Sequence, residues 1–470
     1  MGIQDLFNAV VAFAKECGME QKTPTINGNT IIRDYATSRN ISQDDFLKGA
    51  YFGFIRKEEE YSGGYHDYSL VFFPQIDAKA CVVALGVGTL GFANDYDIAS
   101  LPWIRRLFTR LRNEGARTFF KNDFSDIENA SSDLLSEIKE NYPQLKKVID
   151  TYKKVLPAAQ IIDFSDEAKD NENLSIINHW IATYALVRDW ANKTQMKTVE
   201  KFLPSDNKRN ISSESIYHLM DSDNYKYVVL QGAPGTGKTY TALEIAEHFD
   251  KVYLEQFHAE TSYSDFIYGI RPKLDSNDLA YESQEGVLYK AIDYANKHQK
   301  EKVLLIIDEI NRANLSNVLG PVFYLFEKND STHSVPLVIG DMELTTLPKN
   351  LYVIATMNTA DRSLAVVDFA LRRRFTWLTL KPHAIHDSTF RNRCFSEFDS
   401  LFQKYASDDE LNLQPGQSYF LAKDDSEMKK RIEYELMPLI KEYFNEGYLL
   451  KAKDEFCNFF YNKIGVLLYE

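Results

Sequence analysis

The chain has 470 residues, 44% of them hydrophobic and 26% charged, with a formal net charge of -14. Its length exceeds that of one ordinary core, so two or three domains are expected, and the hydrophobic share excludes wholesale disorder. The acid excess runs through both halves, 23 basic against 28 acidic residues (-5) over 1–200 and 31 against 40 (-9) over 201–470, which argues against tight sequence-independent DNA binding by a monomer, although a local basic face or an assembled pore stays open.

The opening MGIQDLFNAVVAFAKE carries Asp5 and no basic n-region, so it reads as an amphipathic helix and not a signal peptide. Residues 1 to about 120 mix helical stretches with strand-like runs, YSLVFFPQI and KACVVALGV, as in a small α+β module. The longest nearly apolar run, 81–93, is glycine-broken and shorter than the roughly 18 residues a membrane span needs. Cys17, Cys81, Cys394 and Cys457 are far apart without a CxxC pair, which argues against a zinc site or a secreted disulfide framework; a reduced cytoplasm is expected.

Two features of the front half bear on nucleic acid. Arg105, Arg106, Arg110, Arg112, Arg117 and Lys121 are interleaved with Trp103, Phe108, Phe119 and Phe120, a mixture that can grip phosphates and stack on bases but equally suits an amphipathic helix with a basic outer face. Tyr61, Tyr65, Tyr68, Phe72 and Phe73 could form an aromatic cage for a flipped base, or simply a sheet core. From about 125 to 191 the pattern is mostly helical, with Ile177, Trp180, Ile181, Tyr184 and Ala185 on one apolar stripe. The polar stretch 192–213 has no sustained periodicity and reads as the linker.

Beyond it, short buried-looking strands (YKYVVL, KVYLEQF, KVLLIID, NLYVIATMN) alternate with helices, as in βα units around a largely parallel sheet. YVVLQGAPGTGKTYT holds a GxxxxGKT loop between strand and helix. There the backbone N–H groups of Gly232, Ala233, Pro234, Gly235, Thr236, Gly237, Lys238, Thr239 and Tyr240, proline excepted, are placed to surround phosphates at a helix N-terminus. Lys238 is expected on the β and γ phosphates and the Thr239 hydroxyl on Mg²⁺. KVLLIIDEIN ends a strand in acids: Asp308 for Mg²⁺ and its water shell, Glu309 to polarise the attacking water. NLYVIATMN ends at Asn358, which can hold that water or the γ-phosphate; a turn residue is the plainer alternative. Arg372, Arg373 and Arg374 follow in ALRRRFTW, either a basic surface corner or an arginine finger for a neighbouring subunit's nucleotide.

The string MNTADRSLAVVDFALRRRF (357–375) resembles the signature of the McrB family of AAA+ GTPases. QFHAETSYSDFIYGIRP, IIDEINRANLSNVLGPVFYLFE, QSYF and ELMPLIKEYF agree with it in the right order over roughly 205–470. One departure is Ala233, where many members carry a second proline. The resemblance implies that Asn358 is a sensor, that Asp361 and Arg362 build or relay to the catalytic centre, and that Arg373 and Arg374 act in trans. It further implies a hexameric ring, hydrolysis of GTP in preference to ATP with Mg²⁺, and a separate McrC-like subunit that stimulates hydrolysis and carries the nuclease. The expected layout is an α+β and helical domain (1–195) for target DNA, a linker (196–213), an AAA+ α/β nucleotide-binding part (214–385) and a helical lid (386–470). The expected function is DNA translocation within a restriction complex; a remodeller or switch whose front half binds protein is the alternative.

Overall fold

Strand-forming runs in the first half build one antiparallel sheet in the computed structural model. Its strands are β1 (Thr30–Asp34), β2 (Phe52–Arg56), β3 (Ser69–Pro74), β4 (Ala80–Gly86), β5 (Arg117–Phe120) and β6 (Ala158–Asp163), in the order β1-β2-β3-β4-β6-β5. The structure describes residues 1–19, 30–34, 36–37, 41–56, 69–86, 102–109, 111, 117–120, 132–152, 158–188, 190–203, 211–273, 280–327, 336–360 and 369–469. The chain divides into two units, Met1–Lys208 and Arg209–Glu470. Among the described residues no helix is long and apolar enough to cross a membrane.

In the first unit β3 and β4 are buried on both faces, which is why their sequences are apolar without alternation. Leu70, Phe72, Val83 and Leu85 share a core with the helices Ile3–Glu16 and Asp170–Arg188; Val71, Phe73, Val82 and Ala84 share another with Ile138, Leu145 and Val148 of the helices Ser132–Asn141 and Pro143–Tyr152. The stripe Ile177, Trp180, Ile181, Tyr184 and Ala185 is wholly buried. Trp180 Nε1 donates to Gln160 Oε1 at 2.6 Å, so the indole is anchored at its polar end as well as packed, and truncating it to alanine would cost about 3–5 kcal/mol.

One alternative is decided here and two readings change. Phe72 and Phe73 lie on opposite faces of β3, each fully buried, because successive strand side chains point to opposite sides; they form cores and not a cage. AAQIID, inside the stretch read as mostly helical, is β6, since neighbours on both sides pair with it. Residues 196–202, read as linker, form the helix Met196–Phe202, because Met196, Val199 and Phe202 recur at three-residue intervals and Val199 is fully buried.

The second unit holds a five-stranded parallel sheet. Its strands are β7 (Tyr227–Gly232), β8 (Lys251–Gln256), β11 (Val303–Asp308), β14 (Leu351–Asn358) and β15 (Thr376–Thr379), ordered β15-β7-β14-β11-β8. Two antiparallel hairpins stand apart from it, β9 (Tyr268–Lys273) with β10 (Ala280–Glu285) and β12 (Leu337–Ile339) with β13 (Met342–Leu344). Apolar side chains of β7, β11 and β14 point alternately into two cores, one under the helices Val287–Lys297 and Leu315–Leu319 and one under Ser213–Asp221 and Lys238–Ala246. A sheet covered on both faces by crossover helices is what parallel pairing requires. Past β15 the chain is helical, with its own aromatic core around Phe398, Phe402, Phe420, Phe456 and Phe460. This is an AAA+-type P-loop fold.

Candidate nucleotide site

The centre of the parallel sheet is where its chemistry collects. β7, β14 and β11 are neighbours, with Asn358 opposite Gly232 and Ala355 opposite Ile307. Their C-terminal ends therefore present the loop after Gly232, Asn358 and the Asp308–Glu309 pair side by side, at the edge where open parallel sheets bind ligands.

The loop itself turns through Gly235 (φ 77°) and Gly237 (φ 85°), left-handed conformations that a side chain would strain. Gly237 is the N-cap of the helix Lys238–Ala246. Thr236 Oγ1 donates to Ala233 O at 2.9 Å, and Lys238 Nζ donates to Gly232 O at 3.0 Å and Ala233 O at 2.9 Å. Lys238 is buried, so its charge is folded onto loop carbonyls at the base of the loop. Tyr240 is 67% exposed.

Thr239 Oγ1 donates to Asp308 Oδ1 at 2.8 Å, although 69 residues separate them. A hydroxyl at the helix start and a carboxylate at the end of β11 are hard oxygen ligands suited to Mg²⁺. Glu309, the next residue, has φ 54° and ψ 49°, a left-handed backbone that costs a non-glycine residue roughly 1 kcal/mol or more. Its Oε2 lies 3.4 Å from Arg312 Nε. Asn358 Oδ1 accepts from the Ala360 N–H at 3.1 Å, so as placed this amide closes the turn beyond its strand.

Three participants were given no role at the site by the sequence reading. Thr356, 1% exposed, donates its hydroxyl to Asp308 Oδ1 at 2.6 Å and accepts from the Glu309 N–H at 3.0 Å. A threonine directly after the apolar run LYVIA was its only signal. Asn311, also buried, donates Nδ2 to Asn358 O at 3.3 Å. The segment Gly416–Ser418 lies directly on the loop, with Gly416 N–H donating to Pro234 O at 2.8 Å.

The arginines lie at a different place in the unit. Arg373 and Arg374, closing the helix Phe369–Arg374, both pair with Glu327 Oε1, at 2.8 and 2.5 Å. Arg374 is buried, whereas the Arg373 side chain is 66% exposed. Arg372 lies over the Trp377 ring, 5.4 Å from its centre. Asp361 and Arg362 lie outside the described residues, as do Tyr61, Tyr65, Tyr68, Arg110, Arg112 and Lys121.

Residues 227–375 match the family model described as AAA domain (dynein-related subfamily). The chain is 37% identical over 255 residues to the type IV methyl-directed restriction enzyme EcoKMcrB subunit of Escherichia coli K12, covering 47% of this chain and 54% of that protein. It is 29% identical over 197 residues to the type II restriction enzyme BsuMI component YdiS of Bacillus subtilis 168, covering 33% of this chain and 57% of that one. The chain thus spans little more than half the length of each of these relatives. It is homologous to the McrB subunit and carries an AAA+ P-loop nucleoside triphosphatase domain.

Proposed function

We propose that this homologue of McrB is the nucleotide-hydrolysing motor subunit of a McrBC-like restriction complex, acting as a DNA-translocating ring beside a separate nuclease subunit. The observation that carries the reading is the convergence of Asp308, Glu309 and Asn358, at the ends of adjacent parallel strands, with Lys238 and Thr239 at the start of the helix after β7.

In the proposed mechanism the phosphates lie against the loop's N–H groups and the helix N-terminus, whose dipole favours negative charge. Lys238 leaves the carbonyls of Gly232 and Ala233 for the β and γ phosphates. Thr239 and Asp308 would hold Mg²⁺, which would neutralise charge developing on the phosphates. Glu309 takes up or orients the proton of the attacking water, and Asn358 turns from its strand-end bond to hold that water or the γ-phosphate. Asp361 and Arg362 relay to this centre. Arg373, being exposed, is the stronger candidate for the group that reaches a neighbouring subunit's nucleotide, with Arg374 behind it.

The wider reading is a hexameric ring in the cytoplasm, GTP favoured over ATP, an McrC-like partner that stimulates hydrolysis and cuts, and residues 1–195 recognising target DNA, modified or unmodified, in phage defence. The test is hydrolysis of GTP and of ATP by the full chain, with and without the product of a neighbouring nuclease-like gene, beside Lys238→Ala and Glu309→Gln. Lys238→Ala is expected to abolish nucleotide-dependent assembly and turnover; Glu309→Gln is expected to bind nucleotide normally and lose turnover by at least about 10²-fold. Hydrolysis by Lys238→Ala at the wild-type rate would sink the mechanism. Gel shifts with methylated, unmodified and single-stranded DNA test the recognition role, and binding to none of them would favour a remodeller or switch whose front half engages protein.

A further inference from the structure

Each carbonyl from Gly232 to Thr236 in the phosphate loop accepts a hydrogen bond, and four of the donors come from far along the chain. Gly232 O accepts from the Thr359 N–H at 3.0 Å and from Lys238; Ala233 O accepts from Thr236 Oγ1 and Lys238. The next three carbonyls are met by one short segment. Pro234 O accepts from the Gly416 N–H at 2.8 Å, Gly235 O from the Ser418 N–H at 3.1 Å, and Thr236 O from Gln417 Nε2 at 2.9 Å.

The contact is close enough to restrict residue type. A Cβ on Gly416 would lie 2.2 Å from the Gly235 carbonyl and 2.3 Å from Thr236 N, and one on Gly235 would lie 2.4 Å from Ser418 Oγ. Gln417 is 9% exposed, and its Oε1 is buried without a hydrogen-bond partner. A buried orphan acceptor is unfavourable, so an apolar side chain of that shape would suit the position better unless the Nε2 bond to Thr236 matters.

In a trans peptide the carbonyl of one residue and the N–H of the next point in opposite directions. Tying the carbonyls of 234, 235 and 236 to the outer segment therefore turns the N–H groups of Gly235, Thr236 and Gly237 the other way. Those donors form the anion-binding concavity of such a loop. We propose that Gly416, Gln417 and Ser418 form a strap of positioning residues that sets these three peptides for the phosphates of a nucleoside triphosphate. The inference rests on the nucleotide-binding reading above and extends the site to a segment some 180 residues beyond the loop. Because the strap acts on phosphate binding, and Asp308 and Glu309 on the chemistry, loss of the strap weakens affinity before it slows turnover.

The test uses the full chain and fluorescent mant-GTP and mant-ATP, with Gln417→Met, which keeps the shape and removes the donor, and Gly416→Ala. Dissociation constants, kcat, KM and the melting temperature without nucleotide are measured together. Gln417→Met is expected to raise Kd and KM about tenfold, the effect of one hydrogen bond, with kcat at saturation within about threefold and the unliganded melt little changed. Gly416→Ala is expected to weaken binding further; if it fails to fold, Gln417→Met decides. Wild-type affinity in Gln417→Met overturns the strap, and so does a parallel loss of kcat, affinity and melting temperature, which is a general packing defect. A wild-type chain that binds neither probe refutes the nucleotide reading itself, so the two failures are distinct.

Discussion

Thr356→Val is the substitution with the most sharply defined consequence. It swaps a hydroxyl for a methyl of nearly the same size at a position 1% exposed, so no cavity opens and the effect isolates two hydrogen bonds. One is the donation to Asp308 Oδ1 at 2.6 Å, the other the acceptance from the Glu309 N–H at 3.0 Å. A hydrogen bond to a charged carboxylate is worth about 1.5–3 kcal/mol, and stranding a part-buried N–H costs about 1–3 kcal/mol. Asp308 keeps its Thr239 partner, and valine adds buried apolar surface, so the net loss should fall near the lower end, about 2–3 kcal/mol. Turnover should drop by roughly 10- to 100-fold, because the N–H bond helps hold Glu309 in its left-handed backbone, and small displacements of a reacting group carry such penalties. Thr356→Ser keeps both bonds and should stay within about 1 kcal/mol and about threefold of wild type. Urea unfolding gives the stability, steady-state hydrolysis the turnover, and mant-nucleotide titration with and without Mg²⁺ the metal-dependent part of binding. If valine matches wild type in both stability and turnover, or if serine is as damaged as valine, Thr356 does not position the acids.

Arg373→Ala should leave nucleotide affinity and melting temperature near wild type, since its side chain is largely exposed, while cutting turnover about 10³-fold if it serves a neighbouring subunit; unchanged turnover would move that role elsewhere. Arg374→Ala should instead lower stability by about 1–2 kcal/mol by urea unfolding, because its buried guanidinium packs on Glu327, which remains partly solvated and keeps Arg373. The Lys302 ammonium at 2.7 Å, with the Tyr352 hydroxyl at 3.1 Å, holds the Asp221 carboxyl below its ordinary range. A depressed folded value means that this stabilisation is complete above the unfolded pKa of about 3.9 and is lost as pH falls through the folded one. Asp221→Asn should therefore be less stable near pH 7 and show a shallower loss below about pH 4 in urea midpoints; an unchanged acid slope would exclude the linkage.

The apolar stripe of Ile177, Trp180 and Tyr184 was legible because helical burial leaves a three- and four-residue rhythm. The strand β6 was not: AAQIID is too short to outweigh the helical stretches around it, and its state is set by pairing with β4 and β5. Phe72 and Phe73 show the same limit from the other side. Their identity allowed a cage or a core, and only the sheet's two covered faces settle which. The helix Met196–Phe202 hid in a polar stretch because only Met196, Val199 and Phe202 of its seven residues are apolar, too short a run to show a sustained period.

By itself the sequence determined the loop from Gly232 to Thr239, the acids at Asp308 and Glu309, the AAA+ fold around them and the kinship with McrB, because strand, loop and helix there are contiguous and each motif sets its own local geometry. Tertiary structure decided what surrounds them. Thr356 reaches Asp308 only because β14 lies beside β11 in that register, Arg373 and Arg374 meet Glu327 only through packing, and Gly416–Ser418 approaches the loop across some 180 residues. Contacts between distant segments depend on how helices and strands stack, and no local spacing of residue types records that.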